Sequence, residues 1–335
     1  LKKEAIEELG DGQAGDNDDQ FKQPQGAAWV PSQSQSHWLI TTEYYGNRVK
    51  VTNVRTGAMI CKFGELGGGD GQFRNPVGVA VTSDGSFVIV VDSDNHCLQV
   101  LKLVIAADGQ SAQLEFVRCI GNGRGQEEGQ LNIPVGVALL DGDGTEQTIL
   151  VTEAGNHRIS EFALDGTFLR IFAGTTREYD EDEYGVPSSE DDGEFDSPAG
   201  ITVLASSGEV AITDLGNNRV QIFDRQGNFQ RKFGSEGEEE DGQFQYANSL
   251  ASDAYGNIIV VDSTNRLQVF NSEGEHLCTR NDLGLKAGMS KGLAWGAHGQ
   301  LAGGERPGEC GAGVVLGEGE GGRGGGRGRG AGFAR

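Results

Sequence analysis

One block of sequence recurs along this chain, and a recurring block limits the fold more than any other feature. FKQPQGAAWV starts at Phe21, FRNPVGVAVT at Phe73, LNIPVGVALL at Leu131, FDSPAGITVL at Phe195 and FQYANSLASD at Phe244. A sixth start, MSKGLAW, begins at Met289. With the proline as marker, the positions are Pro24, Pro76, Pro134, Pro198, Ala247 and Ser290, separated by 52, 58, 64, 49 and 43 residues. Periods of this order belong to solenoids and propellers, whose units bury their faces only against one another.

The second repeat shows how each unit is built. Val77 to Thr82 predicts a first strand, with Pro76 just before it, where a missing backbone donor costs least. Ser83-Asp84-Gly85 is a hairpin turn. Phe87 to Val91 is a continuous apolar run of the kind buried on both faces. Asp92 to His96 turns the chain, Cys97 to Val104 is a third strand, and Leu114 to Ile120 is a fourth. Short strands punctuated by Gly and Asp at regular spacing predict an all-β fold. A radial array of such sheets covers their faces and protects their edges.

These residues carry a resemblance. The signature G-x-F-x-x-P-x-G-[VI]-[AT], followed by [VT]-[DE]-x-x-x-N-x-R-[VL]-x-x-F, is similar to the NHL repeat. It is clearest in GDGQFRNPVGVAVTSDGSFVIVVDSDNHCLQV and GEFDSPAGITVLASSGEVAITDLGNNRVQIFDRQGNFQRKFG. The resemblance implies an NHL-type β-propeller like those of RING and tripartite-motif ubiquitin ligases, with six blades as the usual number. Blades are expected near residues 21–63, 73–120, 131–173, 195–233 and 244–279. A partial sixth would combine 288–302 with an outer strand from 1–10, all within a propeller spanning 1–302. This last blade is degenerate or incomplete, because low-complexity Gly/Arg/Glu sequence follows Gly299. Residues 303–335 hold 15 Gly and are expected to be a disordered tail.

The turn between the second and third strands is the strongest polar constellation. It holds Glu43, Asn47 and Arg48; Asp92, Asn95 and His96; Glu153, Asn156, His157 and Arg158; Asp214, Asn217, Asn218 and Arg219; and Asp262, Asn265 and Arg266. Repetition in every blade favours a structural role. Asp and Asn would cap their own turn, and Arg would pair with the acid of its own or the neighbouring blade. The functional alternative is a polar rim at the propeller mouth made by Arg48, His96, His157, Arg158, Arg219 and Arg266. Cys97 departs from the pattern, standing where the other blades have Arg.

No catalytic residue is assigned, since HExxH and the P-loop are missing from the sequence. No cofactor and no metal are expected. Two His at equivalent positions without a third ligand make a poor site, and the five cysteines include no CxxC pair, so they read as mostly buried apolar residues. No apolar run approaches the ~20 residues of a membrane span. An intracellular setting and a monomer are the expectation.

Charge placement points to a partner. The connectors Gly10–Gln20, Gly64–Asn75, Gly121–Gln130, Gly174–Ser197 and Gly234–Gln243 carry −20 of the chain's formal −23. They share a propeller face with the second-to-third-strand turns. The expected partner surface is acidic, formed by Glu178, Asp180, Glu181, Asp182, Glu183, Glu238, Glu239 and Glu240. It would select a basic protein or peptide and disfavour nucleic acid. The resemblance thus implies a non-catalytic scaffold or substrate-recognition module, in a ubiquitin-ligase context. The alternatives on the same fold are an amidating-lyase-like metalloenzyme and an RNA-binding domain.

Overall fold

Each repeat folds into one antiparallel four-stranded meander. The computed structural model describes residues 17, 20–31, 37–142, 146–174, 188–264 and 266–281, and five such sheets lie within them. Blade I holds β1 (Pro24–Trp29), β2 (Trp38–Glu43), β3 (Arg48–Asn53) and β4 (Met59–Phe63). Blade II holds β5 (Pro76–Val81), β6 (Phe87–Asp92), β7 (Cys97–Ile105) and β8 (Ala112–Ile120). Blade III holds β9 (Pro134–Asp141), β10 (Gln147–Glu153), β11 (Arg158–Ala163) and β12 (Phe168–Ala173). Blade IV holds β13 (Pro198–Val203), β14 (Val210–Asp214), β15 (Arg219–Phe223) and β16 (Phe229–Phe233). A parallel pair, β17 (Ser235–Glu236) and β18 (Gln243–Phe244), closes the next connector. Blade V holds β19 (Ala247–Ser252), β20 (Ile258–Asp262), β21 (Leu267–Phe270) and β22 (His276–Arg280). The fold is a β-propeller. The expected sixth blade, the tail and the acidic run Glu178–Glu183 lie outside the described residues.

Strand limits move by one or two residues from the sequence reading. Thr82 leaves the first strand of blade II to hold the hairpin: its Oγ1 donates to Asp84 Oδ1 at 2.6 Å and accepts the Phe87 N–H at 3.0 Å. Pro76 is the first residue of its strand rather than the residue before it. In blade V, Ala247 and Ser249 build the same inner strand without the usual Pro and Gly.

The core lies between blades. Four apolar clusters bridge blades I/II, II/III, III/IV and IV/V. Along β6 the two-residue period splits the side chains, with Val88 and Val90 in the I/II cluster and Ile89 and Val91 in the II/III cluster. This is why the second strands read as unbroken apolar runs. Each such residue, fully buried, contributes roughly 1.5–3 kcal/mol relative to exposure.

The inner strands β1, β5, β9, β13 and β19 pack successively around the axis. The glycine of P-x-G is needed for that approach. A Cβ on Gly26 would lie 2.2 Å from the Val77 carbonyl oxygen, one on Gly78 2.6 Å from that of Val135, and one on Gly136 2.3 Å from that of Ala199. A threonine then joins neighbouring blades. Thr152 Oγ1 accepts the Gly136 N–H at 2.7 Å and donates to the Ala199 carbonyl in the next blade at 2.7 Å.

The connector face as a candidate interaction surface

The buried acid at the end of each second strand organises the connector above it. In blade III, Glu153 is fully buried and accepts from Asn132 N at 3.0 Å, Asn156 Nδ2 at 2.6 Å, Arg158 Nε at 2.8 Å and Ser160 Oγ at 2.5 Å. Arg158 then donates Nη1 to the Gln126 carbonyl at 2.7 Å and Nη2 to the Gln130 carbonyl at 3.2 Å. In blade IV, Arg219 pairs with Asp214 at 2.7 Å and donates to the carbonyls of Glu190, Asp191 and Glu194 at 2.6, 2.9 and 3.0 Å. Arg266 of blade V reaches the carbonyls of Glu238 and Gly237 at 2.7 and 3.2 Å. Arg48 pairs with Glu43 at 2.8 Å in blade I.

This corrects the idea of an arginine rim. Arg48, Arg158, Arg219 and Arg266 are 8%, 2%, 6% and 6% exposed, so they point inward, and Arg158, Arg219 and Arg266 clamp the connector main chain. The geometry is poorest in blade V. There Asp262 and Arg266 are four residues apart, one fewer than in the other blades, and the Arg266 Nε is buried without a partner. Blade II has Cys97 where the other blades have this arginine. Asp92 is held by Arg74 N at 2.7 Å, Asn95 Nδ2 at 2.8 Å and Gln99 Nε2 at 2.8 Å, and burial pushes its carboxyl up from the usual range.

The two histidines are not a displayed rim pair either. His96 Nδ1 accepts the Ile133 N–H of the next blade at 3.1 Å, and His157 Nδ1 accepts the Ser197 N–H at 2.9 Å. Asn47 and Asn218 make the same bond to Asn75 N at 3.1 Å and Tyr246 N at 2.7 Å. Donor and acceptor residues all have left-handed backbone, with φ between 48° and 54°. Asn and His are enriched in that conformation among non-glycine residues. The clasp therefore repeats at all four described blade boundaries. Sequence reasoning missed it because it joins positions 28 to 40 residues apart. Asn or His at the fourth position after the acid in blades I to IV was the available signal.

With the arginines and histidines engaged below, other groups form the surface. Glu238, Glu239 and Glu240 are exposed, on a connector whose carbonyls Arg266 holds. Tyr45, Tyr246 and Ile133 are 66%, 55% and 44% exposed on the same face. Ile133 is unusual, since a β-branched residue at φ 48° is a conformational outlier. At the axis lies a cavity of about 310 Å³ lined by inner-strand backbone together with Gln23, Gln25, Tyr44, Tyr45, Asn248 and Ser249. Tyr44 and Tyr45 stand edge to face at 5.1 Å. Among the described residues, no three His, Cys, Asp or Glu side chains converge as a metal set. Nor is any helix there long and apolar enough to cross a membrane.

Comparison with known proteins agrees with this architecture. The NHL repeat family profile matches residues 73–101 and 195–223. The chain is 32% identical over 175 residues to Protein brain tumor of Drosophila melanogaster, covering 52% of this chain and 14% of that protein. It is 29% identical over 174 residues to B-box type zinc finger protein ncl-1 of Caenorhabditis elegans, covering 52% of this chain and 17% of that protein. The matched region thus spans less than a fifth of either relative. Among solved structures, a gluconolactonase from Xanthomonas campestris superposes with a TM-score of 0.55 at 16% identity, covering 84% of this chain and 82% of that one. A protein of unknown function from Bacteroides thetaiotaomicron gives 0.53 at 14% identity, covering 86% and 68%. At such identities the structural likeness concerns the fold alone. The four-stranded blades and the two matched segments make this chain a β-propeller that carries NHL repeats at residues 73–101 and 195–223.

Proposed function

We propose that this propeller is a non-catalytic protein-interaction module whose connector face takes a basic peptide or protein segment. One observation carries the reading. The described connector Glu236–Asp241 turns its main chain inward to Arg266 and leaves Glu238, Glu239 and Glu240 exposed, while exposed Tyr45, Tyr246 and Ile133 lie on the same face. Aromatic anchors inside a charged periphery suit a protein contact, where the rings supply affinity and the charges supply steering. The acidic run Glu178–Glu183 extends the same charge in sequence. An RNA backbone would need cations here, and four arginines of this region are spent on buried carboxylates and carbonyls.

A scaffold or substrate-recognition role in a ubiquitin-ligase context fits the family resemblance, with the ligase chemistry residing in other domains. The test is capture from lysate by the purified chain, followed by binding measurements on each captured protein across a salt series. Affinity should fall as salt rises. It should fall at least tenfold on reversing Glu238, Glu239 and Glu240 to Lys, and again on Tyr45→Ala. Binding that is indifferent to both charge reversal and salt would reject the acidic-face reading. Turnover of a small substrate, or RNA binding that persists without residues 303–335, would reject the module class itself.

A further inference from the structure

Blade II departs from its neighbours at two positions, and the two departures meet. Arg48, Arg158 and Arg219 open the third strands of their blades and Arg266 directly precedes that of blade V, whereas Cys97 opens β7. In the β7–β8 pair, Gln99 faces Cys119 and Leu98 faces Ile120. Residues two apart share a face, so Cys97 and Cys119 are diagonal neighbours on one side of the sheet. Both thiols are free, and each shifts the other's titration. The positions equivalent to Cys119 in blades I, IV and V are Lys62 facing Lys50, Lys232 facing Gln221 and Thr279 facing Gln268. Sulfur thus occupies both places in blade II and neither in those three.

The two sulfurs differ in their surroundings. Cys97 is buried with its Sγ 4.0 Å from Asp92 Oδ2, whereas Cys119 is exposed. The hydrogen bond to Cys119 and then burial push the Cys97 thiol up. That same hydrogen bond, donated by Cys97, holds the Cys119 thiol below its ordinary value. One sulfur is therefore an accessible nucleophile and the other a protonated neighbour within reach.

We propose that Cys97 and Cys119 are a hydroperoxide-reactive thiol pair, in which Cys119 is the sulfur attacked by oxidant and Cys97 resolves it as an intrablade disulfide. The Cys119 thiolate attacks the terminal oxygen of a hydroperoxide. An S–O bond forms, the O–O bond breaks, and the departing alkoxide takes up the thiol's proton to leave as an alcohol, or as water from hydrogen peroxide. The Cys97 sulfur then attacks the sulfenic sulfur. An S–S bond forms, the S–O bond breaks, and hydroxide leaves with the Cys97 proton as water. Each sulfur gives up one electron and the peroxide gains both. The bridge ties β7 to β8 beneath the connector Gly64–Asn75, whose Gln72 carbonyl is held by the Gln99 amide.

Peptide mapping of the full chain after mild hydrogen peroxide treatment tests this. The reduced protein is oxidised, alkylated and digested with trypsin without reductant. The expected product joins Asn75–Lys102 to Cys119–Arg124, is lighter than the two peptides by two hydrogens, and disappears on reduction. In Cys97→Ser the cross-link is lost and Cys119 is trapped by dimedone as sulfenic acid. In Cys119→Ser, Cys97 stays unmodified over the same exposure. Wild-type protein in which Cys119 runs on to sulfinic acid without bridging would overturn the proposal, as would Cys97 oxidising at the same rate in Cys119→Ser.

Discussion

His96 joins two blades only while its Nδ1 carries no proton, because that nitrogen must accept the Ile133 N–H. Burial, with Arg124 nearby, holds the His96 pKa below its ordinary value, and Asp94 opposes this. An unfolded chain therefore takes the proton first as pH falls. The stability contributed by the clasp is complete above about 6.5, the unfolded histidine value, and is lost as pH falls through the lower folded value. Urea unfolding should show wild-type stability declining across that interval. His96→Asn should lessen the decline, because an Asn oxygen makes the same bond in blades I and IV and does not titrate. At neutral pH, His96→Ala should cost about 1 kcal/mol, the usual net value of a hydrogen bond. An unchanged pH profile in His96→Asn would show that the acid response lies elsewhere.

The inner strand is the element on which ring geometry depends. Gly136 allows β9 to approach the Ala199 carbonyl of blade IV, and an added Cβ would stand 2.3 Å from that oxygen. Gly136→Ala should therefore destabilise the propeller by about 1–3 kcal/mol through overpacking at the III/IV boundary, as measured by urea denaturation. Replacing the exposed turn residue Ser207 by Ala should change little by comparison. These elements were the most legible part of the sequence. The P-x-G marker, the apolar second strand and the Gly turns each report a local backbone requirement, so strands were placed to within a residue or two. The destinations of the polar side chains were harder to read. That Arg158 grips Gln126 and Gln130, or that His157 reaches Ser197, depends on how a connector folds back and how a neighbouring blade is rotated. Neither is written in local periodicity. The cysteines were misread in part for the same reason, since Cys119 is exposed on an outer strand rather than packed in the core.

At the scale of the whole molecule, each apolar cluster belongs to a pair of blades, so stability is a chain of nearest-neighbour terms. Phe195 is buried in the III/IV cluster against Phe223, with ring centroids 5.6 Å apart. Phe195→Ala should cost about 3–5 kcal/mol in denaturation experiments. By hydrogen exchange, protection should fall most in β10, β11, β14 and β15 and least in blade I. Uniform loss across all blades would mean that the ring opens as one unit rather than boundary by boundary. The arginine clamps have an effect of another kind. Arg158, Arg219 and Arg266 hold their connectors by carbonyl oxygens, which every residue type presents alike. The grip is blind to side-chain identity, so a connector can exchange nearly all its outward residues and keep its path over the blade. The propeller thus behaves as a mount with interchangeable lettering: its partner can be rewritten loop by loop while the frame below stays untouched.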